Sequence, residues 1–137
     1  MSTTTDTVAA ALERGASLRP ETGGFPYLAE ALRQAGVTRY HHTVSSATNL
    51  FLTGTGPVID QAPPLCDGMT DVAPFDPEAV VAALRADQAG KSTYHEFTQA
   101  LWAAGVVDYT VDLTERNCTY RGATGEAYVE NYPHVDI

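Results

Sequence analysis

The residues of this chain that could do chemistry are four histidines, two cysteines and seven tyrosines. His41 and His42 are adjacent within an alternating run that also holds Val37, Tyr40 and Val44. Alternation puts Tyr40 and His42 on one face of a strand and His41 on the other, so the doublet cannot chelate a single ion. His95 and His134 lie far away and no H-x-H or H-x-x-x-H spacing occurs, so no metal is expected. Cys66 and Cys118 form no C-x-x-C pair and read as free thiols. Arg116 could lower the Cys118 pKa, but without a histidine near in sequence an inert buried thiol is the simpler reading. Phosphate-cradling, nucleophile-elbow and calcium-loop motifs are all missing from the sequence, and no cofactor is expected.

These residues sit in a sequence that repeats. Residues 25–59 align without a gap on residues 94–128 when Ala35-Gly36 is placed on Ala104-Gly105, an offset of 69. Leu32 then matches Leu101, Val37 matches Val106, Tyr40 matches Tyr109, Phe51 matches Tyr120 and Gly56 matches Gly125. His42 falls on Val111, so a titratable ring replaces a plain apolar residue beside an aromatic. Trp102 falls on Arg33 at the flank of a helical apolar stripe, a position that suits a ligand wall or an interface anchor.

The elements that position them follow from caps and periodicity. Asp6 or Thr7 is expected to cap a first helix ended by Gly15, and Asp76-Pro77-Glu78 to start its counterpart. Val80, Val81, Ala83 and Leu84 give that counterpart its apolar face. Pro26 at N1 opens a second helix, and Thr93-Tyr94-His95-Glu96 is a capping box that opens the matching one. Leu28, Leu32 and Ala35, like Phe97, Leu101 and Ala104, follow i, i+4, i+7 spacing up to Gly36 and Gly105. Strand meanders with short turns come next, and Asp108 and Asp112 should face outward. The expected fold is α+β: two ααβββ units, about 6–59 and 76–132, joined by a proline-rich linker over 60–75. The sheet should be mostly antiparallel, with the helices on one face of a single domain spanning 1–137.

Composition narrows the partners. Seventeen acids against eight bases leave a net charge of −9 with no Lys/Arg cluster, which disfavours nucleic acid and anionic membranes. No apolar run approaches a bilayer span, and the first residues have no basic n-region, so a cytoplasmic protein is expected.

The segments FPYLAEALRQAGVTRY (25–40), ADQAGKSTYHEF (86–97) and AAGVVDYTVDLTERNCTYRGATGEAYVE (103–130) resemble the YbcV-like group of small uncharacterised bacterial proteins, sometimes labelled phage envelope protein. That resemblance implies no activity and supplies no catalytic residues. Two functional expectations stand. One is small-molecule handling in a pocket at the seam of the repeats, lined by Tyr40, His42, Trp102 and Tyr109. There His42 would be an acid/base group for cofactor-free isomerisation, cyclisation or elimination. The alternative is an interaction or regulatory protein, phage-derived or homodimeric, that acts through an exposed face.

Overall fold

A computed structural model describes residues 3–137 and gives ten elements. They are α1 (Thr4–Leu18), α2 (Phe25–Gln34), β1 (Val37–Thr43), β2 (Thr48–Thr53), β3 (Gly56–Gln61), α3 (Pro77–Gln88), α4 (Tyr94–Ala103), β4 (Asp108–Asp112), β5 (Asn117–Arg121) and β6 (Ala127–Asn131). The fold is α+β, with helices packed on one face of a six-stranded sheet of order β3-β2-β1-β4-β5-β6. Every strand pairing is antiparallel.

Local chemistry explains the helix ends. Thr93 accepts from the Glu96 N–H at 3.1 Å while Glu96 takes the Thr93 N–H at 2.9 Å, closing the capping box. Asp76 caps α3 with Pro77 at N1. In α1 the cap is Thr3 rather than Asp6 or Thr7: Asp6 is the N3 member of a second capping box, bonded reciprocally to Thr3. Nor does Gly15 end α1, which continues to Leu18. Gly15 is needed instead for close packing, since a Cβ there would lie 2.7 Å from Leu28 Cδ1. Pro26 is the second residue of α2, behind Phe25. Gly36 and Gly105 do stop α2 and α4, at φ 97° and 86°.

Each half runs helix, helix, strand, strand, strand. Ala47 and Arg116, 69 residues apart, are the non-glycine residues with positive φ among those described, at 56° and 55°, and each lies in the turn of the first hairpin of its half. Between β1 and β4, Tyr40 pairs with Val111 and His42 with Tyr109, while His41 pairs with Thr110, its own counterpart at the 69-residue offset. The flanking bonds repeat the relation: Val44 N donates to Val107 O and Leu113 N to Thr38 O, each at 3.0 Å. The register is therefore self-complementary about the His41–Thr110 pair.

A bulge between Val37 and Arg39 keeps Val37 on the same inner face as Tyr40. That face buries Tyr40, His42, Phe51, Tyr109, Val111, Cys118 and Tyr120 against Val8, Leu32, Val80, Leu84, Phe97 and Leu101 of the helices. Each fully buried Leu or Phe contributes roughly 1.5–3 kcal/mol. Asp108 and Asp112 lie on the outer face, paired with Arg121 at 3.1 Å and Arg39 at 3.5 Å.

Candidate functional site

Helices and sheet do not close completely on one another. Between them lies a cavity of about 980 Å³ whose lining comes from both halves of the chain. Tyr40 of β1, Asn49 and Phe51 of β2, Tyr109 of β4 and Cys118 and Tyr120 of β5 form its floor. Leu12, Leu28, Leu32, Leu84 and Phe97 form the helical side, and Tyr132, Pro133 and Val135 of the C-terminal tail close one flank. The tail is held by Phe25, whose ring meets Tyr132 edge-on at 5.1 Å, and by Tyr132 N donating to Arg116 O. His134 adds contacts to Arg116 and to the buried Glu30. At the mouth Arg85 pairs with Glu130 at 2.6 Å, and Arg19 approaches Asp87 at 3.9 Å.

Among the residues expected at a site, Tyr40 and Tyr109 line the cavity and are each 5% exposed. His42 stands one layer behind. It is 1% exposed, its ring stacks on Tyr109 at a centroid distance of 4.8 Å, and Tyr94 meets it edge-on at 6.1 Å. Its Nδ1 is 2.8 Å from Asn49 Oδ1, while its Nε2 is buried with no hydrogen-bond partner among the described residues. Burial, reinforced by the nearby His41, holds the His42 pKa below its ordinary value against the opposing bond from Asn49. The ring is therefore neutral at pH 7. Trp102 is half-buried against the core and is not part of the cavity wall.

Cys118 is a lining residue whose thiol is pushed up to about 12 by burial, so it stays protonated. Arg116 does not activate it, because that guanidinium turns to His134 instead. The phenols of Tyr40, Tyr109 and Tyr120 are raised well above their ordinary value by burial, and all three remain neutral donors. Tyr109 shares a 3.2 Å contact with the Tyr94 hydroxyl, whereas Tyr40 has no hydrogen-bond partner among the described residues. His41 lies on the opposite face, 2.9 Å from Thr110 Oγ1, and His95 is exposed. Among the described residues no group of three or more His, Cys, Asp or Glu side chains is placed to hold a metal ion.

Asn49 is the polar floor residue bonded to His42 that the sequence reading missed. Its signal was present: the offset places it on Cys118, and the hairpin register places it opposite His42. The pair His42–Asn49 thus occupies the position that Val111–Cys118 holds in the second half.

Fold and site together define a small α+β protein with a tyrosine-floored cavity beneath its helices. The chain belongs to the family described as "Protein of unknown function (DUF1398)", which it matches over residues 19–131. It is similar to an uncharacterized protein of Mycobacterium bovis and to uncharacterized proteins of two strains of Mycobacterium tuberculosis. Each is 48% identical over 118 residues, covering 86% of this chain and 72% of the relative. The family match begins after α1 and ends with β6, so it contains the whole cavity floor but neither the α1 wall nor the tail.

Proposed function

We propose that this protein binds a small, predominantly apolar molecule, without covalent chemistry, in the cavity between helices and sheet. The observation that carries the reading is the cavity itself: about 980 Å³, drawn from both halves, with an aromatic floor and a lining surface that is mostly apolar. Sites for small molecules have this size and this balance of apolar wall and sparse polarity. Binding is favoured over turnover because the imidazole on that side of the sheet, His42, stands behind Asn49 and Tyr109, and the phenols on the floor are held protonated by burial. A thiol held near 12 is likewise no nucleophile at neutral pH. We also read the halves as copies of one ααβββ unit, which the self-complementary β1–β4 register supports.

A cytoplasmic setting without nucleic-acid or membrane partners accords with the net charge of −9. None of the described helices is long and apolar enough to cross a membrane. The YbcV-like resemblance and its phage label add no ligand to this reading.

The second reading, an interaction protein or homodimer, draws on the outer sheet face. Ile59 at 66%, Val129 at 55% and Leu52 at 38% exposure leave apolar surface there. Native mass spectrometry of the purified protein separates the two. The binding reading predicts a monomer that retains a ligand or takes up one neutral bicyclic aromatic per chain. A dimer that neither retains a ligand nor takes one up would contradict it.

A further inference from the structure

We infer that the cavity takes an uncharged ligand bearing a carbonyl or similar acceptor oxygen, anchored by the Asn49 side-chain amide, with His42 as the positioning residue that aims that amide. This rests on the cavity-binding reading above.

His42 Nδ1 and Asn49 Oδ1 are 2.8 Å apart. Two proton arrangements satisfy this contact. If the Asn49 amide were turned to donate to Nδ1, the ring proton would sit on Nε2, a buried nitrogen with no partner among the described residues. If Nδ1–H donates to Oδ1, only a lone pair on Nε2 goes unused. Orphaned buried N–H groups are the rarer of the two, so the ring carries its proton on Nδ1 and Asn49 accepts. The Asn49 NH₂ then has no hydrogen-bond partner among the described residues, in a side chain that lines the cavity. A second free donor stands on the same floor: the Tyr40 hydroxyl, in a residue 5% exposed, likewise without a partner.

Both groups ask for an acceptor. The ligand must also be uncharged, because among the described residues no unpaired ion faces the floor. Arg85 is engaged by Glu130 at 2.6 Å, and Arg19 faces Asp87 at 3.9 Å, both at the mouth. A carboxylate or phosphate on the floor would be buried without a counter-ion, as would an amine. The aromatic pairs Tyr40–Phe51 and Tyr109–Tyr120, with centroids 5.2 and 5.4 Å apart, suit a flat hydrocarbon body.

The test uses three probes that share a naphthalene ring: its methyl ketone, the isosteric alkene in which a methylidene replaces the carbonyl oxygen, and naphthoate. Titration calorimetry on the intact chain should show the ketone binding about tenfold tighter than the alkene, one hydrogen bond's worth, and tighter than naphthoate. Asn49→Leu should reduce the ketone's advantage over the alkene to about twofold or less. His42→Phe, which preserves a stacked ring without the Nδ1–H, should weaken the same preference. The bound ketone's carbonyl stretch should move to lower frequency in the wild-type protein than in hydrocarbon solvent. That reading stands even if a variant fails to fold. Equal binding of ketone and alkene, an unshifted carbonyl or tighter naphthoate binding would overturn the assignment. A preference unchanged in His42→Phe would remove the positioning role. Failure of all three probes to bind would overturn the cavity reading beneath it.

Discussion

His42 and Asn49 form a polar pair where the other half of the molecule holds Val111 and Cys118. Exchanging one partner alone strands the other, whereas exchanging both reproduces an arrangement the fold already contains. His42→Val should therefore destabilise by about 1–3 kcal/mol, through a lost hydrogen bond and lost ring packing. His42→Val with Asn49→Cys should recover part of that loss, giving a coupling of about 0.5–1.5 kcal/mol in a cycle of urea midpoints. Strict additivity would show that the pair does not act as a unit. The ring also sets a pH dependence. Its folded pKa is depressed by burial, so the unfolded chain protonates first as pH falls. The contribution is complete above the unfolded value near 6.5 and is lost as pH drops through the folded value. The difference in stability between wild type and His42→Val should shrink across that window; a pH-independent difference would show that the ring does not titrate this way. Glu30 behaves alike at lower pH: bonded by Arg33 and Gln34, its carboxyl is lowered to about 2, so its support fades as pH falls from 4.5 toward 2. At this scale the sequence was readable only in part. His42 stood out because the repeat offset set it on a valine, but Asn49 emerges only once the hairpin register places it opposite that ring. Trp102 met the same criterion of difference as His42, yet a helix flank can pack the core edge without reaching the cavity.

Helices and turns were more legible because their signals are local. The Thr93 capping box is formed as the motif implies, and Thr93→Ala should cost about 1 kcal/mol in thermal or urea unfolding. A loss near zero would mean that the α4 N-terminus does not depend on this bond. The glycines carry information that composition hides. Gly15→Ala gains about 1 kcal/mol of helix propensity, yet the new Cβ would meet Leu28 Cα at 2.9 Å, so α1 and α2 must separate. Overpacking of this kind costs about 1–3 kcal/mol and should win, giving a net destabilised protein. The reading of Gly15 as a helix stop failed for this reason: a glycine required by a neighbouring helix looks the same in sequence as one required by a cap. Gly36 and Gly105 are equivalent caps with unequal surroundings. A Cβ on Gly36 meets nothing within 4 Å, whereas one on Gly105 would lie 2.5 Å from Pro74 O, where the linker crosses the end of α4. Gly105→Ala should therefore unfold at lower denaturant than Gly36→Ala, although the backbone strain is shared.

For the molecule as a whole, the order of elements and the shared turns could be read from the 69-residue offset, because each unit is built from nearby residues. The central pairing of β1 with β4 could not. It joins strands from different halves, and nothing local in either strand announces its partner. The cavity follows from that pairing, since it aligns Tyr40, Tyr109 and Tyr120 on one floor under helices contributed by both halves. Side-chain amide and methyl NMR during titration with the neutral naphthyl ketone tests this account most directly. Binding in the cavity predicts saturable shifts at the Asn49 side-chain NH₂ and at Leu12, Leu32 and Leu84, with the outer-face residues Leu52, Ile59 and Val129 unmoved. Shifts confined to Leu52, Ile59 and Val129, or no saturable shift at any of these seven residues, would contradict it.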